Sequence, residues 1–227
     1  MDGYRIEKKY LIGLDAAMLL RARLVPFMHP DPQAKGGAYR IRSLYFDTPD
    51  AGAFWEKTDG EADRRKYRIR FYNGDTSFIR LERKEKRGEL TLKVQAPLSP
   101  AQAQALAAGD YTVLTDSPHA LCRAFYAEAK TKQLMPSVTV DYRRVPMVYG
   151  IDNVRVTVDT DIYAGGAAVF LSYAPPPFPV LDGAAVLEVK TDDRLPVMIG
   201  RILETVPKQP QSYSKFAMSF ARLHGIE

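Results

Sequence analysis

Cysteine is almost absent from this chain, since Cys122 is the only one among 227 residues. A single thiol cannot form an internal disulfide, which excludes a disulfide-stabilised secreted fold and makes a reducing cytoplasm the default expectation. No apolar run approaches the roughly 18 residues that cross a bilayer. The first residues are charged and lack the apolar core of a signal peptide. We therefore expect any membrane association to need a partner that this chain does not encode.

The short signatures of common nucleotide-binding and hydrolytic enzymes are also missing. The chain contains no Walker A loop, no GxGxxG fingerprint and no GxSxG nucleophile elbow. Its histidines, His29, His119 and His224, are scattered and lack the spacing of metal ligands. These absences argue against P-loop, dinucleotide-binding and serine-hydrolase mechanisms, and against a histidine metal centre.

The composition is that of an ordinary globular protein, with 46% hydrophobic and 11% aromatic residues. The net charge of +5 is modestly basic and indicates little by itself. No internal repeat and no clear linker divides the chain. We therefore predict a single domain over residues 1–227.

Four short stretches carry charged, mostly basic residues at every second position, which is the side-chain period of a β-strand. The alternating residues are Arg64, Lys66, Arg68 and Arg70; Arg80, Glu82 and Lys84; Thr91 and Lys93; and Arg155, Thr157 and Asp159. The positions between them are largely apolar, such as Tyr67, Ile69 and Phe71 in the first stretch. Each stretch therefore predicts a strand with one charged face and one apolar face.

Two arrangements satisfy this alternation. In an open sheet the charged face meets solvent and the apolar face covers the core. In a closed barrel the charged residues line the inside, and the apolar residues pack outward under helices. A surface lined with Arg and Lys suits a highly charged anion, for which a phosphate chain is the obvious candidate.

The whole pattern predicts an α+β protein with about eight antiparallel strands and several helices. Strands are expected near 5–12, 39–46, 64–72, 77–85, 89–95, 138–145, 154–161 and 185–190, and helices near 14–25, 99–109, 117–130, 196–206 and 213–224. Asn73-Gly74 predicts a hairpin turn, and Ser117 with Pro118 predicts a helix start. The segment 164–180 is rich in Gly, Ala and Pro and is expected to be a loop with weak structure.

Glu188 stands out because it lies between Leu187 and Val189 in a strongly apolar strand. A carboxylate in that setting needs a partner. It either forms an ion pair with a lysine, or it binds a divalent ion that also binds phosphates. Hard oxygen ligands and a phosphate substrate suit Mg²⁺ or Mn²⁺.

Taken together, these residues resemble the VTC domain, the catalytic domain of the vacuolar transporter chaperone complex. That domain is a polyphosphate polymerase within the triphosphate tunnel metalloenzymes. The matching stretches come in the family's order and span nearly the whole chain: residues 5–10, 43–48, 66–72, 81–84, 142–144, 155–159, 187–190 and 214–216.

The resemblance implies a triphosphate tunnel, a closed antiparallel eight-stranded β-barrel with helices packed outside. It also implies that eight basic residues bind phosphates and that Glu188 binds Mn²⁺ or Mg²⁺. The eight are Lys9, Arg68, Arg70, Lys84, Lys93, Arg144, Arg155 and Lys215. Lys66 and Lys190 lie in the same stretches and are added as substrate-binding candidates. Arg143 replaces Arg144 if the strand register differs by one residue.

We expect Arg68, Arg70, Lys84, Arg155 and Lys215 to act in catalysis. The other basic candidates are then expected to bind substrate. Lys215 opens the last predicted helix, where an anion would favour both its charge and the helix N–H groups.

Two departures from related patterns are visible. Arg5 occupies the first position of the E-x-E-x-K motif of the CYTH branch, which points away from that branch. Ser212 occupies a position where eukaryotic polymerase domains tend to carry a second lysine. The chain resembles a bacterial stand-alone version of the family, without the lipid-binding and membrane domains of the eukaryotic complex. A membrane-protein partner would then be a separate chain.

The predicted function is therefore a metal-dependent polyphosphate polymerase that transfers the terminal phosphate of ATP to a phosphate or polyphosphate chain. A tripolyphosphatase or nucleoside triphosphatase would use the same residues, with water as the acceptor. The third alternative is a non-catalytic module that binds nucleic acid or another polyanion. It ranks low because the aromatic residues that would stack on bases are predicted to lie largely on the face opposite the basic residues; they are Tyr67, Phe71 and Tyr72.

Overall fold

The computed structural model describes residues 6–88, 90–210 and 213–226, so Arg5 and Ser212 lie outside the described residues. The strands are β1 (Ile6–Gly13), β2 (His29–Pro30), β3 (Tyr39–Asp47), β4 (Arg64–Tyr72), β5 (Asp75–Arg87), β6 (Leu90–Leu98), β7 (Met135–Tyr149), β8 (Val154–Gly165), β9 (Phe178–Pro179), β10 (Ala184–Thr191) and β11 (Gln209–Pro210). The α-helices are α1 (Leu14–Leu24), α2 (Gly52–Thr58), α3 (Pro100–Ala107), α4 (Ala120–Lys132), α5 (Val197–Glu204) and α6 (Lys215–His224).

The strands form one open sheet. Its hydrogen-bonded order is β11-β1-β10-β8-β7-β3-β4-β5-β6, with β2 on β7 and β9 on β8. This path has two ends, and no pairing within the described residues joins β11 to β6. The predicted closed eight-stranded barrel is therefore wrong, although the α+β composition is found. Closure depends on hydrogen bonds between the first and last strands, and an alternating sequence carries no signal for them.

Two compact units are present. The first comprises the described residues within 1–40, 142–162 and 181–213, and the second those within 41–141, 163–180 and 214–227. Each has its own buried apolar cluster. The single domain over residues 1–227 that is expected from the sequence stays a prediction.

In the first unit, helices cover the apolar face of β1, β10 and β8. Val156, Val158 and Leu187 pack there with Leu20 of α1 and Ile199 of α5. Val156, Leu187, Leu20 and Ile199 are each fully buried, at 0% exposure. The alternating residues of the same strands consequently lie on the opposite face, away from this core.

In the second unit, the apolar face of β4 and β5 packs under α3 and α4. Ile69 and Leu81 lie in this cluster with Leu106 and Phe125 of the two helices. Tyr67 packs edge-on against Phe125, with ring centroids 5.1 Å apart. Tyr67 and Phe71, two of the three aromatic residues predicted to lie largely opposite the basic residues of β4, belong to this cluster as predicted.

The predicted start of helix α3 is confirmed, whereas the predicted start of helix α4 is wrong. Helix α3 begins after Ser99, whose side chain forms a reciprocal capping box with Gln102. Helix α4 begins at Ala120, so Ser117 is not its N-cap as predicted, and His119 occupies that position. Ser117 Oγ instead accepts a hydrogen bond from the His119 amide at 3.3 Å, in the turn before the helix.

Arg42 holds the segment from Gly166 to Ala174 in place. Its guanidinium donates to the carbonyl oxygens of Val169 and Ala174, both at 3.2 Å, and to that of Ser172. Nε donates to Asp141 at 2.7 Å. This segment also contains a 3-10 turn at Ala167–Val169. It has more structure than the sequence indicated, because its backbone partners come from distant residues.

No helix in the described ranges has the length and hydropathy needed to cross a membrane.

Candidate functional site: two charged sheet faces

In the first unit, strand register gathers charged residues on the side opposite the core. Lys9 of β1 pairs across with Glu188 of β10, which pairs with Thr157 of β8. Directly paired residues of antiparallel strands point to the same side of the sheet. We name this surface the Glu188 face and define it by Glu7, Lys9, Arg144, Arg155, Thr157, Asp159, Glu188 and Lys190.

Glu188 is buried, with 6% of the residue exposed. Its Oε1 lies 2.8 Å from Lys190 Nζ, and its Oε2 lies 3.9 Å from Lys9 Nζ and 4.0 Å from Arg144 Nη2. The ion-pair alternative from the sequence is thus seen in the structure. Its role as a metal ligand stays a prediction, because both roles use the same carboxylate.

Arg144 is fixed by Asp159 in a two-pronged pair. Its Nε and Nη2 donate to the two carboxylate oxygens at 2.6 and 2.7 Å, and Asp159 has 0% exposure. Burial acts to lower the pKa of Arg144, but the charge of Asp159 outweighs it, so that pKa lies well above its ordinary value. Of the two arginines left open by the sequence, Arg144 is therefore the one that approaches Glu188.

Arg155 is positioned from β8 by partners near the start of the chain. Its Nη2 lies 2.7 Å from Asp31 Oδ2 and donates to Tyr39 Oη at 2.9 Å. Its Nε is buried without a hydrogen-bond partner. A guanidinium held by one edge with an unused N–H is suited to receive an anion oxygen.

The Glu188 face suits a metal ion whose other ligands are substrate phosphates and waters. Within the described residues, no three His, Cys, Asp or Glu side chains form a cluster able to hold an ion by themselves. Mg²⁺ is commonly bound by one or two carboxylates together with substrate phosphates and waters. Glu188 supplies such a carboxylate, and Thr157 Oγ1, across the strand pair, is a buried oxygen without a partner.

In the second unit, strand pairing also gathers charged residues on the side of the sheet opposite the core. Tyr45 of β3 pairs with Arg68 of β4, which pairs with Glu82 of β5. We name it the Arg68 face and define it by Ser43, Tyr45, Lys66, Arg68, Arg70, Glu82, Lys84 and Lys93. Because the apolar core lies on the opposite side of these strands, polar and charged residues can occupy this face.

Glu82 organises two of the predicted phosphate-binding residues. Its Oε2 accepts from Arg68 Nε at 2.8 Å, and its Oε1 lies 2.6 Å from Lys93 Nζ. Burial acts to raise the pKa of Glu82, but the charges of Arg68, Arg70 and Lys93 outweigh it and hold that pKa far below its ordinary value. Glu82 is therefore ionised at neutral pH, among these cations.

Tyr45 is a further hydrogen-bond partner of Arg68. Its hydroxyl accepts a hydrogen bond from Arg68 Nη1 at 2.8 Å, and its ring lies 5.0 Å from that of Phe216. Burial acts to raise the pKa of Tyr45, but the charges of Arg68 and Arg70 lower it below the ordinary value. The next arginine, Arg70, is 6% exposed and donates from Nε to Ser43 Oγ at 2.8 Å.

Lys66 has an unusual environment for a lysine. Its Nζ lies 4.4 Å from the centroid of the Phe216 ring. Burial, and secondarily the charges of Arg64 and Lys57, lower the pKa of Lys66 to about 7. The amine is therefore close to half-protonated at neutral pH.

Lys84 and Lys93 are exposed on neighbouring strands, where they form a cross-strand pair.

Lys215 is half-buried and is the first residue of α6. The side chain of Ser214 caps this helix by accepting from the Ala217 amide at 3.3 Å. The predicted helix start at Tyr213 is thus two residues early.

The predicted site residues separate into two groups. The Glu188 face holds Lys9, Arg144, Arg155, Glu188 and Lys190, and the second unit holds Lys66, Arg68, Arg70, Lys84, Lys93 and Lys215. No functional role is predicted from the sequence for Ser43, Tyr45 or Asp159. The period of two in β3, with Ser43 and Tyr45 at alternate positions, was the signal available for the first two.

The VTC domain family model matches residues 4–224. The chain belongs to the VTC domain family. The resemblance seen in the sequence is therefore confirmed over nearly its whole length. No match was found among curated proteins.

Two solved structures share the fold of this VTC domain. A Hippeastrum protein described as a candidate adenylyl cyclase with a dominant triphosphatase activity has 18% identity and a TM-score of 0.55, over 94% of this chain and 93% of that one. A candidate adenylate cyclase from Bacillus halodurans has 15% identity and a TM-score of 0.54, over 89% of each chain. At these identities the likeness concerns the fold alone.

Proposed function

We propose that this VTC domain is a metal-dependent polyphosphate polymerase that transfers the terminal phosphate of ATP to a phosphate or polyphosphate acceptor. Membership of the VTC family supports the proposal. The observation that carries it is the Arg68 face, where arginines and lysines are held by Glu82, Tyr45 and Ser43 on the side of the sheet away from the core. Such fixed cations need little rearrangement to bind phosphate oxygens.

On the Arg68 face, Arg68 and Arg70 bind phosphate oxygens through their planar N–H groups. Arg68 is held by Glu82 and Tyr45, and Arg70 is held by Ser43, so both guanidinium groups are fixed in position for a phosphate ligand. Lys84, Lys93 and Lys66 add point charges, and Lys215 binds the acceptor chain. Charge compensation and positioning are sufficient for phosphoryl transfer, so no protein nucleophile is required.

On the Glu188 face, Glu188 would hold a Mn²⁺ or Mg²⁺ ion, and Lys9, Lys190, Arg144 and Arg155 would bind phosphate. When bound, the ion supplies neutralisation of charge on phosphate oxygens. The carboxylate that would hold the ion now contacts Lys190, whose ammonium would pair with phosphate when the ion is bound.

A triphosphatase is the second candidate, favoured by the activity described for the Hippeastrum relative. Water would take the place of the acceptor phosphate, and the same residues would serve. Nucleic-acid binding is disfavoured because Tyr67 and Phe71 are 3% exposed and lie in the core.

The test is incubation with ATP and Mn²⁺, with and without a short polyphosphate primer, and separation of the products on a gel stained for polyphosphate. We expect long chains and ADP. Orthophosphate with no chains would replace the polymerase by the triphosphatase, and no turnover of any kind would reject both.

Glu188→Gln should abolish metal-dependent turnover, because it removes the negative charge that attracts the ion while keeping the shape of the side chain. Glu204→Gln, an exposed carboxylate of α5 in the same unit, is the matched control and should retain full activity. Circular dichroism should show both variants folded. Metal-dependent turnover in Glu188→Gln would remove Glu188 from the mechanism.

A further inference from the structure

Thr157 is a buried hydroxyl with no hydrogen-bond partner. The residue is 2% exposed, and its Oγ1 contacts no donor or acceptor in the described part of the chain. Other buried threonines are satisfied: Thr139 Oγ1 donates to the Gly166 carbonyl at 2.9 Å, and Thr191 Oγ1 donates to that of Arg194 at 3.2 Å. The exception lies on the Glu188 face.

A valine at this position would have the same shape without the polar atom. Leaving a buried hydroxyl unpaired is destabilising, and isosteric replacement by an apolar group removes that penalty. Position 157 is flanked in β8 by Val156 and Val158, which belong to the apolar core on the other side. The fold alone therefore gives no reason for an oxygen at Thr157.

The register places this oxygen beside the predicted metal ligand. Thr157 pairs directly with Glu188, and both lie on the face away from the core. The cations around Glu188 are Lys9, Lys190 and Arg144. Lysine and arginine have no acceptor, and they bind phosphate without help from a hydroxyl. The other carboxylates of this face are Glu7, which pairs with Lys9, and Asp159, which pairs with Arg144, so both are already engaged by cations, whereas Thr157 Oγ1 is not. A threonine hydroxyl can serve as a metal ligand, as it does for Mg²⁺ in P-loop enzymes.

We propose that Thr157 Oγ1 is a ligand of the divalent ion carried by Glu188. This inference rests on the proposed metal dependence, and it adds a ligand that carries no charge. Since the threonine remains neutral, it leaves the metal–phosphate complex less negative than a second carboxylate would. The ion therefore keeps more of its charge for the phosphate oxygens.

The test is Mn²⁺ affinity, measured by the electron paramagnetic resonance signal of free Mn²⁺ in the presence of the imido analogue of ATP, which is not turned over. Loss of a group that orients or completes a metal shell typically costs roughly 10- to 100-fold in affinity. Thr157→Val should weaken Mn²⁺ binding by about tenfold or more. Its melting temperature without metal should stay equal or rise. Thr157→Ser, which keeps the hydroxyl, should bind Mn²⁺ as the wild type does.

Thr139→Val is the matched control. It removes a buried hydroxyl that is satisfied, so it should lower the melting temperature and leave Mn²⁺ affinity unchanged. Wild-type Mn²⁺ affinity in Thr157→Val would overturn the proposal, as would a drop in its metal-free melting temperature with metal affinity retained.

Failure of the proposed function gives a different result. If the wild type forms no polyphosphate but Thr157→Val still weakens Mn²⁺ binding, the ligand assignment stands and the polymerase does not. If the wild type binds no Mn²⁺, both fall.

Discussion

At the scale of single residues, the cations of the Arg68 face have two different kinds of environment. Arg68 and Lys93 share one buried carboxylate, Glu82, whereas Lys66 has an aromatic ring at Phe216 and other cations nearby. The first arrangement keeps charges fixed and ionised. The second leaves an amine whose charge depends on pH, and the sequence alternation alone cannot separate these two cases, because it assigns Lys66 and Arg68 to the same face.

Phosphate binding through Lys66 should weaken as pH rises. Its pKa of about 7 means that the amine is charged below pH 7 and loses its charge as pH rises above it. Calorimetric titration with tripolyphosphate from pH 6 to pH 9 should show affinity falling across this range. Lys66→Met, which is neutral throughout, should bind weakly at pH 6 and show a smaller loss of affinity up to pH 9. An equal pH dependence in the two proteins would remove Lys66 as its source.

Glu82 should contribute strongly to stability. Removing one partner of a buried ion pair typically costs about 3–5 kcal/mol, so Glu82→Gln should lower the free energy of unfolding by about 3 kcal/mol in urea titrations. Tripolyphosphate should restore part of this loss, since it can neutralise Arg68 and Lys93 in place of the carboxylate. Glu61→Gln, at an exposed site of the same unit, should change little.

The sign of the pH effect at Glu82 is fixed by its lowered pKa. Its contribution is complete above about 4.5, the ordinary value, and is lost as pH falls below it. The wild type should therefore lose more stability between pH 5 and pH 2 than Glu82→Gln does. Parallel acid curves would show that Glu82 is not the group responsible.

At the scale of elements, local sequence patterns predicted the hairpins well. They did not predict structure that depends on contacts between residues distant in sequence. Strand β4 has the predicted bounds, and the turn after it uses left-handed backbone at Asn73 and Gly74, with φ of 53° and 73°. Helix α2 lies between the strands predicted near 39–46 and 64–72, where the sequence analysis predicts no helix. The Asp47 carboxylate supports the start of this helix, because it accepts from the amides of Ala53 and Phe54 at 2.8 and 3.2 Å.

Segment Gly166–Ala174 should depend on a single arginine. Arg42→Met removes the donors to Val169, Ser172 and Ala174, whose carbonyls then need other partners. Chymotrypsin should cut the Arg42→Met variant faster after Tyr173, which is fully exposed. Cleavage requires local unfolding of the surrounding chain, and the variant lacks the hydrogen bonds that oppose it. Arg87→Met, at an exposed end of β5, is the control. Equal cleavage rates would mean that Arg42 does not hold the segment.

At the scale of the whole molecule, family membership was predictable and the strand connections were not. Motifs spread from residue 5 to residue 216 identify the family, because each keeps the residue types its chemistry needs. The open path of the sheet, and the pairing of Thr157 with Glu188, arise from hydrogen bonds between strands far apart in sequence. Alternation fixes the face of each residue, but it does not fix its neighbour on the next strand.

Polyphosphate should bind in preference to single-stranded DNA of equal phosphate number. Both are attracted to a chain with net charge +5, and both should weaken as salt is raised. Base stacking would add affinity for DNA, but Tyr67 and Phe71 are in the core. Anisotropy competition against labelled polyphosphate should therefore need far more DNA than unlabelled polyphosphate. Equal competition would favour a general polyanion-binding module.

The open end of the sheet has a consequence for self-association. Strand β6 ends the hydrogen-bonded path, and no strand in the described part of the chain pairs with its outer edge. Leu90 and Leu92 are about half exposed there, at 46% and 51%, which makes this edge a template for fibre growth between copies. Pro97 lacks an amide hydrogen, and Lys93 carries a charge, so both act as gatekeepers against an added strand. A lysine assigned to phosphate thus also protects the protein from aggregation.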